Sequence, residues 1–483
     1  MDIQSLPTEL LRKILFHVRN GDCRDDAKNE ESIKQCRLVS QCFNNAASPF
    51  MITDVCVWLT LESVARFENL CKHPVFSKSL QSVVVFISYY EAELARDKQL
   101  YMEEAKARLL RHVETWERTN YYRRKYPMTE DIHRRLSALA WGQDAEREIV
   151  KLVGGSVDEA SATPVQKLLN KMYDLYQQKY ANQERLFQNE AHISRLCAAL
   201  CSLPNLESLR LEDDHIWRSD TLDAADFPDS GLESSMLQHF FPLLCRSRWC
   251  GSFMTAHTAT PPVEMLGDLL ARLGEKGLRL KRLALTLTNT PDMRVWHLSW
   301  AQKAEIKRLV SQSTEVRLQV DFGARAYDLQ YPKDEMLAVC SISQAIFSAP
   351  HLEDLTIGFK KYPHNSATPN VSLSDILPLA TLSPRLRTLD LFKQPATVRE
   401  LELLVSRNPT TVRNFDWFEG WLLEGNWPDA VDMLRGFECL ENASLEYPHG
   451  LPTDVNWSAD EIKSYVLRET NANPLRKRSK GAR

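Results

Sequence analysis

The chain has 483 residues, and its 60 lysines and arginines against 64 aspartates and glutamates give a formal net charge of −4. Hydrophobic residues make up 43% and charged residues 26%, which is ordinary for a globular protein and excludes wholesale disorder. The near-neutral charge lacks the electrostatic footprint of a dedicated nucleic-acid-binding protein, and only 16 glycines count against glycine-rich loops that wrap phosphate groups.

The first 55 residues predict three short helices. Pro7 is typical of the first position of a helix, where its missing N–H costs nothing. Apolar residues then recur at helical spacing: Leu6, Leu10, Leu11, Ile14, Leu15 and Val18. A polar stretch over 19–29 breaks the pattern, which resumes at Ile33, and Ser40 is placed to cap a third helix. The first helix carries more apolar residues than one buried side needs, so the segment is either a helical cap on the rest of the chain or a docking module for a partner.

Two stretches of this segment carry a family resemblance, 6–15 (LPTELLRKIL) and 36–43 (CRLVSQCF). In this order they resemble the F-box, a three-helix module that binds the Skp-type adaptor of cullin–RING ubiquitin ligases. The match covers about 4–50 and implies that Phe43 packs inside the module. It also implies adaptor contacts by six residues: Leu6, Pro7, Leu10, Ile14, Leu38 and Val39. The loop at 21–26 is longer and more acidic than is usual for the family, a change that loops tolerate at little entropic cost.

The next two segments are expected to differ in character. Residues 56–90 read as a linker with a possible first repeat strand at 83–87. Residues 91–190 are dense in charged and helix-forming residues, which predicts a charged helical insertion divided at the glycine pair 154–155. Within it, 121–126 (YYRRKY) interleaves basic and aromatic groups, as single-strand nucleic-acid binders do. Since no nucleic-acid-binding motif accompanies it, we interpret it as a solvated helix end and expect no nucleic-acid partner.

A leucine-rich pattern recurs through residues 191–465. An L-x-x-L-x-L pattern and weaker copies of it predict short strands centred on 209, 283, 316, 355, 389, 415 and 443. Helical patterns lie between them, at 265–273, 302–311, 336–347, 373–379, 398–405 and 430–437. The first interval is about twice the others, which leaves room for an unrecognised repeat around 240–255. Pairing one strand with one helix in each unit resembles a divergent leucine-rich-repeat solenoid, although the asparagine usual after each strand is not maintained.

The competing fold for alternating strands and helices is a doubly wound parallel sheet. That fold needs strands buried on both faces, whereas polar residues stand here between the apolar strand positions. These residues are Arg210, Arg317, Thr356, Asp390 and Asp416. The pattern therefore favours an α/β solenoid with one solvated strand face. In such a solenoid this face lines the concave side, so we expect the five residues to contact a target protein through a charge gradient, basic in the first half and acidic in the second. The alternative is that these charges only keep the strand face soluble.

Sequence motifs of catalysis are absent, with no GxSxG, HExxH, GxxxxGK[ST] or GxGxxG. The 11 cysteines are dispersed and contain no CxxC pair, which predicts reduced thiols in the cytosol or nucleus and no structural zinc. We interpret the acidic triplet 213–215 (DDH) as a polar turn rather than a metal site. The longest apolar run, 83–87, is far shorter than the roughly 20 residues of a membrane span. We therefore expect a non-enzymatic cytoplasmic or nuclear protein without catalytic residues, cofactor, metal or membrane partner.

The C-terminal part adds two features. One is an aromatic group, which is either the core of a terminal repeat or a binding patch: Trp417, Trp421 and Trp427, with Phe415 and Phe418. Residues 466–483 are expected to form a disordered basic tail, which suits either nuclear localisation or solubility. Taken together, the patterns predict a substrate-recognition subunit of a cullin–RING (SCF-type) ligase, with the adaptor on the F-box and a target on the repeats. The alternative is a repeat scaffold whose degenerate F-box recruits no ligase.

Overall fold

The computed structural model describes residues 6–19, 26–105, 107–108, 164–213, 247–251, 260–322, 332–360, 371–451 and 458–476. Within these ranges the chain is a mixed α/β protein organised around a nine-stranded parallel sheet. Several predicted features lie outside them: the acidic loop up to residue 25, the segment 121–126, the glycine pair 154–155, most of the supposed repeat at 240–255, residues 214–215, and residues 477–483 of the tail. Residues 466–476, the first part of the tail that was expected to be disordered, lie inside them, and the Leu475 side chain is buried in the core.

Three helices form the N-terminal part: α1 (Thr8–Arg19), α2 (Asp26–Val39) and α3 (Gln41–Ala47). The Pro7 carbonyl accepts hydrogen bonds from the next turn of α1, and the Ser40 hydroxyl caps α3 by accepting from the Phe43 N–H at 3.3 Å. Helix α2 begins at Asp26, inside the stretch that the sequence indicated as a polar break. The three helices share a small core: Leu11, Leu15, Ile33, Phe43, Ala46 and Ala47.

The strands of the large sheet are β1 (Asp54–Trp58), β2 (Ser82–Phe86), β3 (Ser208–Glu212), β4 (Arg282–Thr288), β5 (Glu315–Asp321), β6 (Asp354–Lys360), β7 (Thr388–Phe392), β9 (Asn414–Phe418) and β11 (Asn442–Glu446). A second, two-stranded parallel sheet pairs β8 (Pro395–Thr397) with β10 (Trp421–Glu424). All seven predicted strand centres lie in strands, and β2 overlaps the predicted strand at 83–87. Strands β1, β8 and β10 have no counterpart in the predicted pattern.

The helices that follow the N-terminal three are α4 (Leu61–Lys72), α5 (Phe76–Ser79), α6 (Ala92–Arg96), α7 (Pro164–Phe187), α8 (Ala191–Cys201), α9 (Leu270–Glu275), α10 (Trp300–Leu309), α11 (Lys333–Ile346), α12 (Leu373–Ile376), α13 (Val398–Arg407), α14 (Trp427–Leu434) and α15 (Ala459–Val466). Each of the six predicted helical stretches overlaps one of them. Helices that are neighbours in sequence contact each other, as α9 does α10 and α13 does α14, so they form a layer.

The strand order of the large sheet follows the chain without reversal, β1-β2-β3-β4-β5-β6-β7-β9-β11. A doubly wound sheet reverses its strand order at a switch point, so this order excludes the doubly wound alternative for the described strands. Since crossovers between parallel strands are almost always right-handed, a one-way order places the connecting helices on one face of the sheet. The other face is left to solvent or partners.

Alternation along the strands separates a core face from an open face. On β5, Val316, Leu318 and Val320 are fully buried, whereas Arg317 between them is exposed. The same alternation recurs on the neighbouring strands, where Leu355 and Ile357 of β6 are buried. The buried positions join one continuous core with the helices. The period-two alternation explains why the strand pattern is legible in the sequence.

The two described ends of the predicted insertion pack against each other. The Gln183 side chain of α7 both accepts from the Tyr90 N–H at 2.8 Å and donates to its carbonyl at 2.9 Å. The Tyr176 hydroxyl accepts from the Glu91 N–H at 2.6 Å, and its ring lies 5.2 Å from that of Tyr101. Helix α7 also contacts α4 and α8, so these ends are part of the α/β body.

Candidate functional site

Helix α1 has three distinct longitudinal faces, because residues four apart lie above one another on a helix. Leu11 and Leu15 face the small core and are 1% and 2% exposed. Leu10 and Ile14, one position earlier in each turn, are 46% and 45% exposed. One face of α1 is therefore apolar and uncovered.

Helix α2 adds further exposed apolar side chains at its C-terminal end. Leu38 and Val39 are 80% and 57% exposed. Helix α3 begins after a single intervening residue, Ser40, and the Arg37 guanidinium donates to the Asn44 side chain at 3.0 Å across this junction. The tight junction leaves the last two residues of α2 outside the core. We call Pro7, Leu10, Ile14, Leu38 and Val39 the helical docking face.

The six residues implied by the F-box resemblance do not all have the same environment. Pro7 and the four large apolar residues of the docking face are exposed. Leu6 is half-buried and packs against the small core instead. Of the eleven exposed large hydrophobic side chains among the described residues, five lie in the three N-terminal helices: Leu10, Ile14, Phe16, Leu38 and Val39. Such a concentration on a short segment is typical of a protein-binding surface.

The five polar residues predicted to bind a target lie in one register-matched row across the open face. The row, which we call the middle row, runs through Cys56, Val84, Arg210, Ala284, Arg317, Thr356, Asp390, Asp416 and Ser444. Each pair of neighbours sits on adjacent parallel strands, about 4.8 Å apart in backbone position. Residues separated by more than 200 positions in sequence thus share one surface.

The positive charge at one end of the middle row is weaker than the sequence predicted. Arg210 forms an ion pair with Glu212 of its own strand, so its charge is compensated. Arg317 is exposed, with Ala284 and Thr356 as its neighbours in the row. The predicted gradient from a basic first half to an acidic second half is therefore carried on the basic side by Arg317 alone among the predicted residues.

The acidic end of the row holds two carboxylates side by side. Burial raises the pKa of the Asp390 carboxyl, while a hydrogen bond from the Thr356 hydroxyl at 3.1 Å and the charge of Arg317 lower it. Burial also raises the pKa of Asp416, and the negative charges of Asp390 and Glu446 raise it further. The two aspartates therefore repel each other in their ionised forms.

An aromatic cluster lies beside these carboxylates, two residues further along the same strands. The rings of Phe392 and Phe418 stack at 4.9 Å with an interplanar angle of 7°, and both are half-buried. The ring of Tyr447 meets Phe418 edge-on at 5.3 Å and is 68% exposed. The sequence analysis grouped Phe418 with the nearby tryptophans as a candidate binding patch, but it missed Phe392 and Tyr447. The period of two from Asp390 to Phe392 and from Asp416 to Phe418 was the signal that could have placed these two phenylalanines on the open face.

The opposite end of the open face is apolar and covered. Trp58 and Phe86 stack at 5.0 Å and form a small cluster with Val84 and Cys56. Trp58 is 9% and Phe86 is 0% exposed. The uncovered, charged part of the open face is thus on the later strands.

Two of the three tryptophans near the C-terminus, Trp417 and Trp427, belong to the core. Trp417 and Trp427 are 0% and 4% exposed, with their rings 5.2 Å apart, and each indole N–H donates to a backbone carbonyl. Trp421 is half-buried and stacks on His449 at 4.1 Å. Of the two sequence interpretations, core or binding patch, the core applies to Trp417 and Trp427, while Trp421 is outside it.

Asp213 is the one residue of the triplet 213–215 that the structure describes, and its side chain is buried. It is 1% exposed, and its carboxylate accepts from the backbone N–H groups of Thr288 at 2.9 Å and Trp249 at 2.8 Å. These donors bind the end of β3 to β4 and to the segment 247–251. Because protein donors already occupy the carboxylate, Asp213 is a structural cross-link.

Two further properties concern only the described residues. Among them, no cluster of three or more histidine, cysteine, aspartate or glutamate side chains is arranged to hold a metal ion. No helix in the same ranges combines the length and apolar character needed to cross a membrane. In comparisons with known proteins, no protein-family model matches the chain and no curated protein matches it.

Proposed function

We propose that this chain is the substrate-recognition subunit of a cullin–RING ubiquitin ligase, with an F-box at its N-terminus and a leucine-rich-repeat-like solenoid behind it. The observation that carries the proposal is the exposure of Leu10, Ile14, Leu38 and Val39, at the positions where the F-box motif has its adaptor contacts. A helical cap that packs only on the rest of this chain would bury these side chains. Full burial of each one gains roughly 1.5–3 kcal/mol of apolar transfer free energy. An adaptor would cover them.

The contribution of such a subunit to ubiquitin transfer is positional. The helical docking face attaches the chain to the ligase, and a second surface holds a target protein near the charged ubiquitin carrier. Tethering raises the effective concentration of target lysines and requires no catalytic side chain in this chain.

The acidic and aromatic part of the open face is the surface we assign to the target. Asp390 and Asp416 stand beside the stacked rings of Phe392 and Phe418 and the exposed ring of Tyr447. A lysine or arginine side chain from a partner would relieve the repulsion between the two carboxylates and lie over the aromatic rings. We therefore expect a target segment that carries basic residues.

The adaptor interaction is tested with two matched double variants of the full chain. Replacing Ile14→Ala and Leu38→Ala removes two anchors of the docking face, and we expect a loss of about 2 kcal/mol or more, roughly 30-fold in Kd. Binding to a purified Skp-type adaptor is measured by biolayer interferometry, and circular dichroism checks the fold.

The control replaces Leu337→Ala and Leu403→Ala, which are 42% and 51% exposed on α11 and α13. This variant removes a similar apolar area and should bind the adaptor as the unmodified chain does. Equal affinity of both double variants, or no adaptor binding by the unmodified chain, would contradict the proposal. The second result, with target binding retained, is what the degenerate-F-box scaffold predicts.

A further inference from the structure

A cleft of about 670 Å³ lies where the N-terminal helices meet the first strands. Its walls come from α1, from the turn Ser48–Phe50 after α3, from α5 and from the beginnings of β1, β2 and β4. This volume is in the range of pockets that hold small organic ligands. The cleft is separate from the open-face surface assigned to the target.

The third face of α1 points into this cleft. Arg12, Phe16 and Arg19 follow one another at helical spacings of four and three, and all three line the cleft. This face is distinct from the buried face of Leu11 and the docking face of Leu10. Phe16 is held against Phe50, with ring centroids 6.3 Å apart.

Positive charge dominates the cleft. Among the described residues its lining includes the cations Arg12, Arg19, Lys78 and Arg282 and one carboxylate, Asp54. The Asp54 carboxylate already accepts a hydrogen bond from the Thr53 hydroxyl at 2.7 Å. With four cations and one anion, the described lining has a net positive charge, whereas the chain as a whole has a formal net charge of −4.

These four cations form no ion pair with any described residue, although comparable residues elsewhere do. At the starts of later strands, Lys281 pairs with Glu207 at 2.5 Å and Arg413 with Glu441 at 2.7 Å. Arg282 is matched in register with Glu315, but these two side chains form no ion pair. Cations that converge on a cleft without compensating carboxylates favour a negatively charged ligand.

The Arg19 side chain gives an independent indication. Its Nε–H is buried and has no hydrogen-bond acceptor. A buried donor without a partner costs about 1–3 kcal/mol, more when it is charged, so the guanidinium of Arg19 is poorly compensated where it lines the cleft. Guanidinium groups pair in a bidentate manner with phosphate oxygens.

We propose that the cleft binds a compact, multiply charged phosphate compound, such as an organic polyphosphate. Because the cations come from three elements, α1, α5 and β4, a ligand with several phosphate groups would pair with more of them than a single phosphate would. Phe16, Phe50 and Val75 provide an apolar wall for the organic part of such a ligand. Binding would join α1 to the sheet and so fix the N-terminal helices relative to the open face.

The test uses the full chain and inorganic tripolyphosphate as the probe, with orthophosphate as its comparison, by isothermal titration calorimetry at about 0.15 M ionic strength, which screens distant surface charges. We expect tripolyphosphate to bind at one site, at least tenfold more tightly than orthophosphate. Arg12→Gln with Arg19→Gln should weaken this binding at least tenfold, and Lys78→Gln, at an exposed position, should weaken it without disturbing the fold.

The control is Lys307→Gln with Arg399→Gln, an equal change of charge at exposed positions outside the cleft, and it should alter the affinity by less than twofold. Equal weakening by this control, or no preference for tripolyphosphate over orthophosphate, would overturn the proposal. If the Arg12/Arg19 variant fails to fold, an unaltered affinity of the Lys78 variant overturns it. The adaptor measurement is independent, so either proposal can fail alone.

Discussion

Asp390 and Asp416 are single residues that lower the stability of the fold and keep two carboxylates on the open face, where a partner can bind them. Both carboxyls have raised pKa values, since burial disfavours the ionised forms and a nearby negative charge adds to this, that of Asp354 at Asp390 and that of Asp390 at Asp416. The folded state therefore holds these protons more tightly than the unfolded state does. Stability falls as the pH rises from the ordinary aspartate value of 3.8 to the raised pKa values, and the cost is complete above them. Residues that lower stability at a surface are typical of binding sites.

Asp416→Asn tests this interpretation at the residue scale. The amide carries no charge, so we expect a higher free energy of unfolding at pH 7 than for the unmodified chain. The gain should shrink as the pH is lowered through the raised pKa toward the ordinary aspartate value of 3.8. Urea denaturation of both chains at several pH values between 4 and 7 gives the difference directly. A gain independent of pH, or a loss at pH 7, would show that charge repulsion is not the cause.

At the scale of elements, the residues that directly follow the last three strands of the large sheet share a positive φ angle. Lys393, Glu419 and Tyr447 follow β7, β9 and β11 and have φ values of 56°, 49° and 50°. The Lys393 N–H donates to the Phe418 carbonyl at 2.8 Å, and the Glu419 N–H donates to the Glu446 carbonyl at 2.7 Å. Backbone hydrogen bonds between successive turns thus satisfy polar groups here without the asparagines of regular repeats.

The helix layer depends on a close approach between α9 and α10. A Cβ atom on Gly274 would lie 2.0 Å from the Glu305 carbonyl oxygen. In an exposed helix, glycine to alanine gains about 1 kcal/mol of helix propensity. Here we expect Gly274→Ala to lower the free energy of unfolding by about 3 kcal/mol, because the two helices must separate.

Urea denaturation measures the Gly274→Ala effect, and Gly358→Ala on β6 is the control. A Cβ there meets its nearest atom, the Phe392 Cβ, at an ordinary 3.4 Å, so that variant should change stability little. If Gly274→Ala is as stable as the unmodified chain, the close packing of α9 on α10 is wrong.

At the scale of the whole molecule, the proposed function separates two surfaces that act independently. The three helices that carry the helical docking face share a small core of their own, which includes Leu11 and Phe43. The acidic and aromatic surface belongs to the sheet core that contains Leu389 and Phe415. Changes at one surface should therefore leave the other intact, since distant sites contribute additively.

Asp390→Lys with Asp416→Lys tests this separation. Charge reversal should reduce recovery of basic target proteins in proximity labelling, because like charges repel, while adaptor affinity stays within twofold of the unmodified chain. Glu402→Lys with Glu438→Lys, at exposed positions away from the sheet, is the control with the same change of charge. If both variants recover the same targets as the unmodified chain, the target binds elsewhere.

The sequence by itself determined the local pattern. Alternating apolar residues located the strands of residues 209–443, and helical spacing located α1, because each element buries one side of itself at a fixed period. Solvated positions such as Arg317 and Asp390 indicated one open sheet face, and the one-way strand order agrees with that expectation.

The tertiary structure decided which residues lie next to one another. The register of eight strand pairings aligned Asp390 with Asp416 and placed Phe392 beside Phe418, which no local period specifies. Folding also turned Asp213 into a buried cross-link and brought Arg19 and Arg282 to one cleft. These contacts join residues tens to hundreds of positions apart, and such pairings are fixed by packing and hydrogen-bond satisfaction across the whole fold rather than by the propensities of neighbouring residues.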